Sequence, residues 1–103
     1  MKDKLNFYID GSWVESESKE RIEVINPANE ELIGHITSGT KDDINKAVLA
    51  ASKAFKTYQL TSKEDRIELL NNIIAEYKNR YDDLVQTITE EMGAPIWLSE
   101  KAQ

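Results

Sequence analysis

The spacing of apolar residues changes once along this chain, at Thr40, and that change limits the fold more than any other feature. Before Thr40, apolar residues alternate or form short runs broken by turn residues. After it, they recur at three- and four-residue spacing, which is the signature of amphipathic helices. Phe7 and Ile9 alternate with Asn6 and Tyr8, then Asp10-Gly11 precedes Ser12-Trp13-Val14. Asp-Gly between two such runs predicts a two-residue hairpin, because both turn positions need φ > 0. Residues 15–20 (ESESKE) are polar and predict a short exposed loop with nothing to bury. Ile22, Val24 and Ile25 form the next apolar run, and Asn26-Pro27-Ala28-Asn29 breaks it. Asn before Pro starts a turn, with the proline φ already set. Leu32, Ile33 and Ile36 mark the returning strand, and Gly34 within it predicts a bulge or a close backbone contact.

Thr40 stands three residues before Asp43, a capping box with Asp in place of Glu. Ile44, Ala47, Val48, Ala51, Phe55 and Tyr58 then place one apolar stripe on a helix over about 41–58. Ser62 and Asp65 repeat the capping pattern ahead of a second stripe, Ile67, Leu70, Ile74, Tyr77 and Tyr81. Asp82 and Asp83 suit the first turn of a third helix carrying Leu84, Val85, Ile88 and Met92. The spacing leaves open whether the second and third helices are separate. Gly93 reads as a C′ stop and Pro95 as the first turn of a further helix that runs to Gln103 without a stop signal. The expected fold is α+β: two antiparallel hairpins over 1–39, then three or four helices over 40–103. Three helical stripes, with Trp97 and Leu98 near the end and no partner downstream, predict a chain cut in mid-structure.

Composition narrows the function classes. The 103 residues hold 13 Lys+Arg against 19 Asp+Glu, a net charge of −6. So acidic a chain has no electrostatic reason to seek nucleic acid or an anionic membrane. At 40% hydrophobic residues it is too apolar for a disordered tail. No apolar run approaches the roughly 20 residues that cross a bilayer, no signal peptide is visible, and the cytoplasm is the expected compartment. There is no Cys, which removes disulfides, thiolate metal sites and a cysteine nucleophile together.

Each candidate for chemistry has a plainer reading. Gly34 to Lys41 (GHITSGTK) approaches the phosphate loop G-x-x-x-x-G-K-[ST], but Thr40 and Lys41 are in reversed order, which misplaces the hydroxyl and the ammonium. A strand end followed by a capped helix explains it better. No G-x-G-x-x-G is present. His35 is the only histidine, and without Cys it cannot build the usual zinc set. A general base needs a partner, so a surface or edge-strand residue is the plainer reading. The acidic pairs Glu30-Glu31, Asp42-Asp43, Asp82-Asp83 and Glu90-Glu91 read as solvated faces or first-turn charges, since neighbours on a helix do not face each other. The Tyr and Trp residues read as core or interface and are not interleaved with Lys/Arg as a base-stacking platform would be.

Five segments in order carry a family resemblance. Phe7-Tyr-Ile-Asp-Gly-Ser-Trp-Val14 resembles the opening strand pair of aldehyde dehydrogenases, and Ile22 through Ile33 resembles their strand, Asn-Pro turn and return. Asp42 through Phe55 resembles their "D-x-x-A-V-x-A-A-x-x-A-F" helix. Arg66 to Leu70 and Glu90-Glu-Met-Gly-Ala-Pro95 resemble the helices and the "E-x-G-K-P" corner that follow. The resemblance implies an α/β parent with a Rossmann-like cofactor domain, a catalytic domain and an oligomerisation arm. Residues 1–103 would be its amino-terminal part, packing on the cofactor domain. It implies oxidation of an aldehyde to a carboxylic acid with NAD or NADP. A cysteine thiolate attacks, hydride leaves to the nicotinamide, and a glutamate activates water. Such chemistry demands a Cys. No catalytic or cofactor-binding residue is expected in this chain, and alone it should be inactive. The implied partners are the aldehyde, the rest of the same enzyme, and a homodimer or homotetramer. Some members hold a structural monovalent cation, and the matching positions are Val24, Ile25 and Glu91, whose oxygens suit a hard ion. The family's frequent Lys before the corner Pro is Ala94 here, and Met92 replaces a common Asp or Asn before the Gly. The readings without this parent are a complete small acidic α+β interaction module, and a nucleotide binder using the Gly34 loop.

Overall fold

The computed structural model describes residues 3–101. Two antiparallel hairpins precede four helices. Strands β1 (Asn6–Ile9) and β2 (Ser12–Glu15) pair with Phe7 opposite Val14 and Tyr8 opposite Trp13. Asp10 and Gly11 have φ of 52° and 80°, so the Asp-Gly turn has the positive φ values that a right-twisted hairpin requires. Tyr8 and Trp13 meet edge to face with ring centroids 5.2 Å apart. Strands β3 (Arg21–Ile25) and β4 (Leu32–Thr37) form the second hairpin. Its register shifts between Val24 and Ile25: Val24 faces Gly34 while Ile25 faces Leu32, leaving Ile33 as the extra residue. The bulge expected at Gly34 therefore falls one residue earlier, with Gly34 itself still paired and buried.

The sequence did not signal a second, parallel attachment to β4. Lys4 bridges Ile36, and the Lys4 amide donates to the His35 carbonyl at 2.8 Å. The Thr37 hydroxyl donates to the Leu5 carbonyl at 2.7 Å, so the residues leading into β1 are tied to the second hairpin.

The helices are α1 (Lys41–Tyr58), α2 (Lys63–Asn79), α3 (Tyr81–Met92) and α4 (Ile96–Lys101). Thr40 and Ser62 each close a full capping box, with Asp43 and Asp65 at the third position. α2 and α3 are separate helices, broken at Arg80 with φ −108° and ψ 14°. Tyr81 thus begins α3 instead of ending the stripe of α2, although its ring still meets Tyr77 edge to face at 6.2 Å. Gly93 ends α3 at φ 67° and donates its N–H to the Thr89 carbonyl, the αL stop expected of a C′ glycine. The Pro95 carbonyl accepts the first bonds of α4, from Leu98 and Ser99. The end of that helix at Gln103 lies outside the described residues. No helix among the described residues is long and apolar enough to cross a membrane.

These elements do not close into a globule. The Cα radius of gyration is 17.2 Å, against about 13 Å for a compact domain of this length. The overall extents are 48 × 36 × 15 Å, a thin slab. α1 packs on β1 and α4 on α3, but no extensive packing joins α1 to α2. Val85 is the one large apolar side chain buried among the described residues. The predicted stripes exist, yet they face outward: Leu49, Phe55, Leu60 and Leu70 on or beside α1 and α2 are all exposed, as are Trp97 and Leu98 on α4. Tyr8 and Trp13 are exposed too, so they form no core within this segment.

Candidate functional site

The most organised polar cluster sits where the first hairpin meets α1. Asp43 Oδ2 accepts from the Ser16 hydroxyl at 2.6 Å, the Thr40 amide at 2.8 Å and the Thr40 hydroxyl at 3.0 Å. The Asp43 amide in turn donates to Thr40 Oγ1 at 3.1 Å. The Ser16 bond first, then the Thr40 amide, hold the Asp43 carboxyl below its ordinary range. Two expectations fail here. The loop over 15–20 does bury a residue, Ser16, and Asp43 is 8% exposed instead of standing on a solvated face. The capping box was legible, but the arrival of Ser16 across 27 residues was not. Three donors converge on one oxygen of this carboxylate, which locks the junction between the first hairpin and α1.

The same cluster decides the Gly34–Lys41 loop. Gly34 lies inside β4, and the Thr40 hydroxyl is consumed by the cap. Gly39 packs against the Phe7 ring, which a Cβ there would meet at 3.4 Å. The loop forms a strand end and a helix start, not a phosphate cradle. His35 Nδ1 lies 3.0 Å from Asp3 Oδ1, and the His35 amide donates to the same oxygen at 2.9 Å. Those bonds, the imidazole's first, lower the Asp3 pKa. The pair is exposed and staples the lead-in segment to β4, an edge-strand role.

Val24 and Ile25 lie at the end of β3, beside the register shift. The turn that follows is closed by the Asn26 amide on the Glu31 carbonyl (2.9 Å) and the Glu30 amide on the Asn26 carbonyl (2.8 Å). Asn26 Oδ1 accepts from the Ala28 amide at 2.9 Å, an Asx turn. Glu91 lies in the last turn of α3. What brings this helix end to the turn is Gly93: a Cβ there would stand 2.9 Å from the Ala28 nitrogen and 2.9 Å from Pro27 Cγ. The corner foreseen from Glu90 to Pro95 is thus packed on the Asn-Pro turn. Among the described residues, no group of three or more His, Cys, Asp or Glu could hold a metal. A site here would rely on backbone carbonyls with one carboxylate. That donor set fits a weakly charged hard cation and not zinc, and the register shift interrupts the ladder where those carbonyls lie.

Fold and sites together define an open α+β unit whose large apolar faces stand exposed. A profile of the Aldehyde dehydrogenase family matches residues 13–103. A Staphylococcus aureus (strain bovine RF122 / ET3-1) relative bearing the aldehyde dehydrogenase name is 54% identical over 101 residues, covering 98% of this chain and 21% of its own. A Bartonella henselae aldehyde dehydrogenase structure matches with TM-score 0.95 at 38% identity, over 99% of this chain and 21% of that one. A mutant aldehyde dehydrogenase C from Pseudomonas syringae, solved with NAD+ and octanal, matches with TM-score 0.90 at 40% identity, over 93% of this chain and 20% of that one. The chain belongs to the aldehyde dehydrogenase family. It spans about a fifth of the length of the curated relatives it matches, 21%.

Proposed function

We propose that residues 1–103 are the amino-terminal part of an enzyme that oxidises an aldehyde to a carboxylic acid with NAD or NADP. The observation that carries this reading is the family match over residues 13–103. The reaction would proceed through a cysteine thiohemiacetal formed outside these residues, which contain no Cys. The role of this segment is structural. It offers two hairpins and a helical layer to the cofactor-binding domain, and the exposed faces of α1 and α2 support that role. A self-contained interaction module would cover most of those faces, so the open slab favours the segment reading. The bound nicotinamide would supply the hydride acceptor, and the residues here would shape the surface behind its domain. Val24, Ile25 and Glu91 would hold a structural monovalent cation through two carbonyls and one carboxylate. We assign the whole enzyme to the cytoplasm as a homodimer or homotetramer. The test is to purify the whole polypeptide and follow NAD(P)H formation over a panel of aldehydes, with residues 1–103 alone as the control. Turnover by the whole polypeptide and none by the segment is expected. No turnover with any aldehyde, or equal turnover by the segment, refutes the reading.

A further inference from the structure

Three sectors of α1 differ in what they carry. Ala47, Ala50, Ala51 and Ala54 line a cleft shared with Tyr8 and the Asp10-Gly11 turn. Ile44, Val48 and Phe55 belong to the apolar stripe, about 90° further round at about 100° per residue. The third sector stands roughly 130–140° from both. It carries Lys46, Leu49, Lys53 and Lys56 at alternating three- and four-residue spacing, and Leu60 continues the row in the turn after the helix. Leu60 and Leu49 are 81% and 72% exposed, the two highest values for large apolar side chains among the described residues. None of these three lysines makes an ion pair among the described residues. We propose that this third face is a docking surface for the anionic headgroups of a lipid bilayer, with Leu49 and Leu60 entering the interface between them. α1 holds four lysines against two aspartates, inside a chain whose net charge is −6. At physiological salt a charge is felt over about 8 Å, so the local face governs a contact and the net charge does not. The argument from net charge against an anionic membrane therefore does not extend to this face. Its shape separates lipid from a helical partner. A partner helix needs an apolar seam, and the seam through Leu49 runs over Asn45, Ser52, Lys56 and Gln59, all polar. A fluid surface needs no seam: the lysines reach headgroups while the leucines sink among them.

The experiment is vesicle co-sedimentation of the whole polypeptide containing this segment. Vesicles of phosphatidylcholine alone are compared with vesicles in which about one third of the lipid is phosphatidylglycerol. Weak, reversible binding to the anionic vesicles alone is expected, and it should fall at least about tenfold between about 0.05 M and 0.5 M salt. One lysine near an anionic surface changes partitioning about fivefold, so Lys53→Glu combined with Lys56→Glu should lower it at least about 25-fold. Leu49→Ser combined with Leu60→Ser should lower it about tenfold. Lys19→Glu combined with Lys78→Glu makes the same change of net charge on other elements and should bind like wild type. All six side chains are exposed, so none of the variants removes a buried contact. Equal binding to neutral and anionic vesicles, or none to either, overturns the proposal. So does wild-type binding by the Lys53/Lys56 variant, or an equal loss in the Lys19/Lys78 variant. Retention on immobilised polyglutamate without vesicle binding would assign the face to an acidic protein and overturn the lipid reading. Aldehyde turnover is not the readout, so this proposal and the function proposed above fail separately.

Discussion

On the reading proposed above, residues 1–103 by themselves should fail to behave as a folded domain. A compact monomer of 11.8 kDa exposes about 5,900 Å², and this segment exposes 8327 Å². The excess is about 2,400 Å², roughly three times the 800 Å² that one partner contributes to an ordinary protein–protein interface. One docking partner of ordinary size would therefore leave most of it uncovered, whereas burial against a large domain of the same chain would not. With Val85 as the only large apolar side chain buried among the described residues, there is little interior to melt. The expected urea transition is broad, with a slope below the usual range of about 1–3 kcal/mol/M, since that slope scales with the surface newly exposed. Trp13 and Trp97, 69% and 56% exposed, should emit like solvated indoles before any urea is added. A hydrophobic dye should bind strongly to the segment and weakly to the whole polypeptide. A single sharp transition, blue-shifted tryptophan emission and no dye binding would refute the reasoning.

Other outcomes follow from particular contacts and are read on the whole polypeptide. Thr40→Ala removes the N-cap of α1 and should cost about 1 kcal/mol by thermal or chemical denaturation; an unchanged midpoint would count against the cap. The Asp43 carboxyl is held below its ordinary value of 3.8, so its stabilisation is complete above that value and is lost as pH falls through the lower folded value. Ser16→Ala, which deletes the first cause of that shift, should move the acid-unfolding midpoint upward, and an acid limb identical to wild type would disprove the junction. Val85→Ala should cost roughly 2 kcal/mol for the buried carbons removed. Ser99, with no exposed surface and its hydroxyl 2.8 Å from Thr89 Oγ1, leaves no room for Leu, and Ser99→Leu should cost about 1–3 kcal/mol through overpacking of α4 on α3. A neutral result for Ser99→Leu would mean that α4 does not pack as described.

Much of the local architecture is legible in the sequence. Asp10-Gly11 carries its own turn, because few other pairs tolerate two positive φ values. Thr40 and Ser62 carry their helix starts, because a hydroxyl and a carboxylate three residues apart satisfy each other's backbone donors. Gly93 marks its helix end for the same kind of local reason. The break at Arg80 was not legible, since neither Gly nor Pro marks it. Nor was the burial of Ser16 and Asp43, because a short polar loop looks solvated until a distant helix comes to meet it. The candidate corner was half legible. The Glu90–Pro95 corner was named through family resemblance, but the contact that seats it, Gly93 against Pro27 and Ala28, spans more than sixty positions.

By itself the sequence determined the kinds of element and their punctuation. Strand alternation, helical stripes, caps and turn residues all act within a few positions, where geometry leaves the chain few choices. Tertiary structure alone decided where the stripes point. Amphipathicity says that a face must be buried, never against what, and here the faces of α1 and α2 look outward. It also decided which distant groups meet: Ser16 with Asp43, Asp3 with His35, and the end of α3 with the Asn-Pro turn. Such meetings depend on the path of the whole backbone, which no short window of residues encodes.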